Sequence, residues 1–309
     1  MAVPLPIGPD IVLAGAARSG TSFLASLLGS HPDVDPGAVK EPNYFSREHA
    51  RGPDWYDGLF APRRPGLLRL DASMSYTFKH FPDALPTLVR EAPDAVVIYA
   101  VRHPLRRLLS HYHLHREYFR NEKATTLGDA LAGSEVYAGA SDYAHWLEQL
   151  TTHVDPERLL VVPFPVVTGR REELCDVLCD MTGLDPAPFR DGGPAREEHR
   201  NQVVQFRNEG VRRARRLVRR AGLYPAVRRS LGRDRLRRLR SWGTRPVTTE
   251  KIDEALATCS PAQLDLLREL HESARAAVGE ALATQDERRG LTWADTWVAE
   301  CPPMAVRRS

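Results

Sequence analysis

Lysine is scarce in this chain. Of its 43 basic residues only Lys40, Lys79, Lys123 and Lys251 are lysines, and the rest are arginines. With abundant alanine and proline, that bias suggests a GC-rich bacterial genome. Cysteine is scarce too, and Cys175, Cys179, Cys259 and Cys301 do not look like a disulfide framework. Cys175 and Cys179 stand four apart on a predicted helix. No second Cys or His pair accompanies them, so they read as buried thiols rather than metal ligands. No run of about 18 apolar residues occurs, so no membrane-spanning helix is expected. The N-terminus, MAVPLPIGPD, lacks the charged and apolar regions of a signal peptide. These absences together set the expectation of a cytoplasmic protein.

What is present is a chain of 309 residues, 42% hydrophobic, enough for one large α/β domain or two small ones. Its charge is uneven. Residues 206–245 carry 15 arginines against two acids, Glu209 and Asp234, or +13; the whole chain is +3, so the remainder is −10. Short apolar runs at "DIVLAG" (Asp10 to Gly15), "GLLRLDAS" (Gly66 to Ser73), "DAVVIYAV" (Asp94 to Val101) and "ERLLVVPF" (Glu157 to Phe164) read as buried strands. Between them lie helical patterns. "TSFLASLLG" is one, stopped by Gly29 and Pro32; Leu105 to Phe119 is a second; "REELCDVLCDMT" is a third, closed by Gly183. Strands alternating with helices predict a three-layer α/β/α fold around a central parallel sheet, with a P-loop NTPase-like start. After about Asp185 the pattern becomes all-helical. The expected organisation is a single domain over 1–309. Its core spans about 10–190, an Arg-rich helical segment about 206–245, and C-terminal helices about 248–300.

Three stretches carry chemistry. "GAARSGTS" (Gly15 to Ser22) has the glycine spacing of a phosphate-binding loop, but Thr21 stands where the loop lysine belongs, and the nearest cation is Arg18. Backbone N–H groups and the positive end of the following helix favour an anion there. The plain alternative is a strand-to-helix turn with Arg18 solvated. In "VRHPLRRLLSHY", Arg102 leaves the most apolar strand as it ends, and Ser110 lies two turns along the next helix. Together they suit an anion at the sheet's carboxyl edge; alone, Arg102 could merely pair locally. In "KEPNYF", Glu41 follows the first helix at a distance that returns it to the same edge, where a carboxylate can take a proton. By itself it would be an ordinary surface glutamate.

Together these stretches resemble the PAPS-dependent sulfotransferases, particularly the branch with the heparan sulfate enzymes and many bacterial relatives. "SDYAHWLEQLTTHVDPERLLVVPF" and "LCDMTGLDP" fit the same family further along, and the likeness covers roughly Asp10 to Asp185. It implies that the co-substrate is 3′-phosphoadenosine 5′-phosphosulfate (PAPS), with no metal expected. It implies that Arg18, Ser19, Gly20, Thr21 and Ser22 hold the 5′-phosphate, with Arg18 also stabilising the departing group. It further implies that Arg102 and Ser110 hold the 3′-phosphate and that Glu41 is the base. Should Glu41 fail that role, His31, His80 and His103 are the histidines to test. Two departures stand out. "LDASMSYTF" puts Ala72 where some heparan enzymes have a second catalytic lysine, for which Lys79 or Lys40 could compensate. "VVPFPVV" replaces a segment that commonly carries Glu-Asp.

The implied acceptor is a carbohydrate, glycolipid or other secondary metabolite, bearing a hydroxyl or an amine. The Arg-rich segment reads as a solvated helical cover or as a grip for an anionic acceptor or membrane headgroups. Missing motifs and aromatics argue against nucleic acid. Just before it, Arg200 and Asn201 stand where a loop closes over the cofactor in relatives. An ATP-dependent small-molecule kinase and a non-catalytic anion- or membrane-binding protein are the rival readings. Nothing in the sequence sets the oligomeric state.

Overall fold

The computed structural model describes residues 8–192, 204–206, 244–246 and 252–304. Five strands form one sheet: β1 (Ile11–Gly15), β2 (Val34–Asp35), β3 (Leu68–Asp71), β4 (Val96–Val101) and β5 (Leu159–Pro163). Their order is β2-β3-β1-β4-β5, and every pairing is parallel. Every residue of β1, β4 and β5 is buried. Successive strand residues face opposite sides, so both faces of the sheet are covered, which is why these strands read as unbroken apolar runs. The predicted parallel α/β core is therefore the observed one, and β2 is the strand that the sequence pattern does not reveal.

The sheet's two central strands set the place of the site. β1 feeds the helix Thr21–Leu28, and β4 feeds the helix Pro104–His113, with proline in its first turn. β1 pairs with β3 on one side and β4 on the other, so the chain leaves the two central strands toward opposite flanks and opens a crevice at their carboxyl ends. The predicted helix to Phe119 is α-helical only to His113 and continues as a π-turn, Leu114–Phe119. The helix Arg171–Thr182 ends at Gly183, whose φ of 72° is the left-handed cap the sequence predicts.

The C-terminal helices Pro261–Arg289 and Trp293–Glu300 join the same core, through Ala274, Val278, Leu282, Trp293 and Trp297. The long helix starts with a capping box between Ser260 and Gln263. Gln285 on it bonds both backbone groups of Val161 on the edge strand β5, at 2.8 and 3.1 Å. That amide occupies an edge that would otherwise present unpaired donors and acceptors. One expectation is corrected here: the region after Asp185 is not all-helical. Val204–Phe206 and Thr244–Pro246 pair as an antiparallel ribbon, beside the π-turn. Strands this short, and this far apart in sequence, leave no periodicity to read. The Arg-rich helices predicted between them, and Arg200 and Asn201, lie outside the described residues.

Candidate active site

The loop after β1 holds Arg18 at φ 72° and Gly20 at φ 92°. Glycine occupies the left-handed region freely, whereas arginine at such a φ is strained, and strain of this kind collects at functional sites. A Cβ on Gly20 would meet Val167 at 3.0 Å and Phe164 at 3.3 Å. The chain thus presses close to its neighbours here. The helix that follows begins without a side-chain cap. Its first N–H groups, on Thr21 and Ser22, have no intrahelical acceptor by helix geometry. The Ser19 hydroxyl is fully buried, and the Ser19 N–H closes a turn onto the Ala16 carbonyl at 3.2 Å.

Arg18, Arg102 and Ser110 converge. Arg18 Nε donates to Ser110 Oγ at 3.0 Å. Arg102 Nη1 donates to the Arg18 carbonyl at 3.3 Å. The Arg102 backbone N–H and carbonyl both bond the Tyr143 hydroxyl, at 3.1 and 2.9 Å, which fixes the end of β4. The Arg102 guanidinium lies 4.6 Å from the centre of the Phe164 ring. Phe164 belongs to "VVPFPVV", one of the two departures from the family pattern. Here that segment supplies an aromatic face under the Arg102 cation.

A third arginine, not singled out in the sequence, completes the cluster. Arg107 is fully buried. It donates to the Ala17 carbonyl at 3.2 Å, to Ser141 Oγ at 2.5 Å and to the Tyr137 carbonyl, and it meets His111 Nδ1 at 3.3 Å. Among the described residues no carboxylate lies within ion-pair distance of Arg102 or Arg107. Burial, and then Arg102 and Arg107 nearby, push the Arg18 guanidinium down to about 10. Burial pushes Arg107 down to about 10 as well. Burial lowers Arg102 too, and it holds neutral the neighbouring His111, whose proton affinity Arg107 reduces further. Like charges packed this way are costly, and an anion relieves the cost.

Glu41 arrives from the other side. Its segment is tied to the end of β3 through Asn43, whose N–H donates to Ser73 Oγ at 2.9 Å and whose side-chain oxygen accepts from Ser75 Oγ at 2.6 Å. Tyr44 stacks on Tyr56 with centroids 4.3 Å apart, and Phe45 sits edge-on to Tyr76. Glu41 has φ 59°, a second strained residue at this edge. Lys40 links it to the loop, with Nζ 3.1 Å from Glu41 Oε1 and 3.0 Å from Ser22 Oγ. Lys40 also lines a cavity of about 250 Å³ with Ser22, Ser26, Gly37 and Ala72. Of the two lysines suggested as substitutes at Ala72, Lys40 is therefore the one that shares a cavity with it. Lys79 is paired with Asp142 at 2.7 Å and lines a different cavity.

Other residues are accounted for structurally. His31 is buried between the Asp185 carbonyl, 2.9 Å away, and the Asp33 N–H, 3.1 Å away. Cys175 and Cys179 are buried free thiols, raised by burial, Cys179 to about 11. Asp71 is the acid at the end of β3. It is fully buried and accepts from Tyr56, Ser73 and Tyr76 at 2.8, 2.6 and 2.6 Å. Three hydroxyls thus already donate to this carboxylate inside the protein.

The parallel α/β sheet thus carries, at its central crevice, a strand-to-helix loop with three arginines gathered on it. Residues 8–164 match the family described as "Sulfotransferase domain", and the chain belongs to that family. Kil1, a membrane-associated sulfotransferase of Dictyostelium discoideum, is 28% identical over 120 residues, covering 38% of this chain and 26% of that protein. Mouse heparan sulfate glucosamine 3-O-sulfotransferase 6 is 32% identical over 104 residues, covering 34% of this chain and 30% of its own. The matched part thus spans less than a third of either relative. A sulfotransferase structure from Alicyclobacillus acidocaldarius shares the fold, with TM-score 0.50 and 23% identity, over 61% of this chain and 84% of that one. Among the described residues no helix is long and apolar enough to cross a membrane.

Proposed function

We propose that this chain transfers a sulfonyl group from PAPS to a hydroxyl or amine of a carbohydrate, glycolipid or secondary-metabolite acceptor. The observation that carries the reading is the convergence of Arg102 and Ser110 on Arg18, in the loop that leads into the helix Thr21–Leu28, backed by buried Arg107, which among the described residues has no carboxylate within ion-pair distance. Such a cluster fits a polyanionic nucleotide. PAPS supplies an activated sulfonyl on its 5′-phosphate and a 3′-phosphate that ATP lacks.

In this reading Ser19, Gly20, Thr21 and Ser22 line the 5′-phosphate cradle. Given its buried hydroxyl and engaged N–H, Ser19 shapes the loop more than it touches the ligand. Arg18 stays charged at neutral pH and spreads two donors over the oxygen that gains charge as the bond breaks. Arg102 and Ser110 take the 3′-phosphate. Glu41 accepts the acceptor's proton while sulfur passes from the phosphate oxygen to the acceptor atom. Lys40 holds that carboxylate against the cradle. A cytoplasmic setting suits a chain in which none of the four cysteines is disulfide-bonded.

The kinase reading needs an acid to hold a metal at a strand end, and Asp71 is already engaged. Two measurements separate the readings. Titration calorimetry should show tight binding of 3′,5′-ADP without magnesium and weaker binding of ATP with it. Labelled PAPS with pooled acceptors should give labelled product, and Glu41→Gln should cut turnover about 10²–10⁴-fold while leaving 3′,5′-ADP affinity within twofold. Tighter binding of magnesium-ATP, or no labelled product from any acceptor, defeats the proposal.

A further inference from the structure

A second cluster lies behind Arg102, and it owes nothing to the sulfonyl-transfer reading. His103 follows Arg102 at the start of the helix Pro104–His113. His271 sits on the long C-terminal helix, and Cys301 follows the last helix. A ring nitrogen of each histidine and Cys301 Sγ all lie within 4.8 Å of one another. The two rings are 4.9 Å apart between centroids, and Sγ is 3.9 Å from either nitrogen of His271. His271 and Cys301 are each 1% exposed.

An ordinary core cluster would satisfy its own polar atoms. This one does not. His271 Nε2 is 2.9 Å from the Pro302 carbonyl, so that nitrogen carries the proton and donates it. Nδ1 then carries the lone pair, 3.9 Å from Cys301 Sγ, and an outer hydrogen bond of this kind fixes the tautomer of a metal ligand. His103 Nδ1 is buried with no hydrogen-bond partner among the described residues. Two imidazoles and a thiol, with no carboxylate in the set, suit a borderline-soft ion of tetrahedral preference.

We propose that His103, His271 and Cys301 bind one zinc ion, which staples the C-terminal helices to the strand end that carries Arg102. Zinc–nitrogen distances of about 2.0–2.1 Å and a zinc–sulfur distance of about 2.3 Å place tetrahedral ligands about 3.5 Å apart. The cluster must therefore tighten by about 1 Å, and Cys301 lies past the end of its helix, where the chain can give. On binding, a zinc–sulfur bond forms and the thiol proton leaves to solvent; no electron changes hands. Three protein ligands leave a fourth position for water.

The test uses the full chain, stripped with a chelator, kept reduced, and titrated with Co²⁺ as the optical probe. One equivalent should produce a thiolate-to-cobalt charge-transfer band with the visible bands of tetrahedral cobalt, and Zn²⁺ should displace it. Cys301→Ser should abolish the charge-transfer band, and Cys259→Ser should keep it. His103→Gln and His271→Gln should each weaken cobalt binding at least tenfold, which holds even if the serine variant folds poorly. No band in the unmodified chain at saturating cobalt, or an equal band in Cys301→Ser, overturns the proposal.

Discussion

Arg107→Met tests whether the buried guanidinium holds the loop. Methionine keeps most of the side-chain length and removes the charge. The substitution deletes donations to Ala17, Ser141 and Tyr137. Hydrogen bonds from a charged group contribute about 1.5–3 kcal/mol each, so the gross loss is about 5–9 kcal/mol. Against that stands the release of a fully buried cation that has no carboxylate partner among the described residues, a relief of several kcal/mol. The net expectation is a destabilisation of about 2–4 kcal/mol. For a chain of this size that lowers Tm by about 4–8 °C. Affinity for 3′,5′-ADP should fall about tenfold, or about 1.4 kcal/mol, because the loop loses its anchor and the site loses a positive charge. Both effects push the same way. A thermal melt and titration calorimetry read them, with Arg106→Met, an exposed neighbour on the same helix, as the control. If Arg107→Met and Arg106→Met match in both measurements, the guanidinium does not hold the loop.

Backbone strain at Arg18 gives a second test. Both Arg18→Gly and Arg18→Ala should lose sulfonyl transfer, but at φ 72° glycine should be the more stable of the two by about 1 kcal/mol. Equal melting points would show that the loop relaxes. Proton linkage gives a third. Arg18 and Arg107 are depressed to about 10, and an anion binds their charged forms. Affinity for 3′,5′-ADP should therefore be full below that pH and decline above it. Calorimetry in buffers of different ionisation enthalpy should find proton uptake on binding at pH 10 and none at pH 7; equal proton traffic at both would count against the cluster.

The long apolar strands were legible because both of their faces are buried, so β1, β4 and β5 appear as runs bounded by glycine, proline or polar turns, while β3 alternates leucine with buried Arg69 and Asp71. β2 is two residues long and carries no pattern. The site was legible in part. Arg18 and Ser110 are far apart in sequence yet hydrogen-bonded, and loop spacing together with family likeness brought them into one hypothesis. Arg107 was missed because an arginine beside Arg106 reads as a solvated helix face. The available signal was its i, i+3, i+4 spacing to Ser110 and His111, which puts all three on one side of the helix. The role of "VVPFPVV" could not be read at all, since it depends on which cation comes to rest over Phe164. The His103–His271–Cys301 cluster joins the end of β4 to the C-terminal helices, and no local spacing announces it.

The three neighbouring guanidinium groups also bear on how long each molecule survives. With the crevice empty, their mutual repulsion is a standing charge against the native state. A polyanion seated among them removes that burden and adds its own binding free energy to the resistance against unfolding. If the proposed nucleotide is that polyanion, its pool in the cell sets more than the rate of turnover: when it runs low, idle copies become the ones most readily opened and degraded.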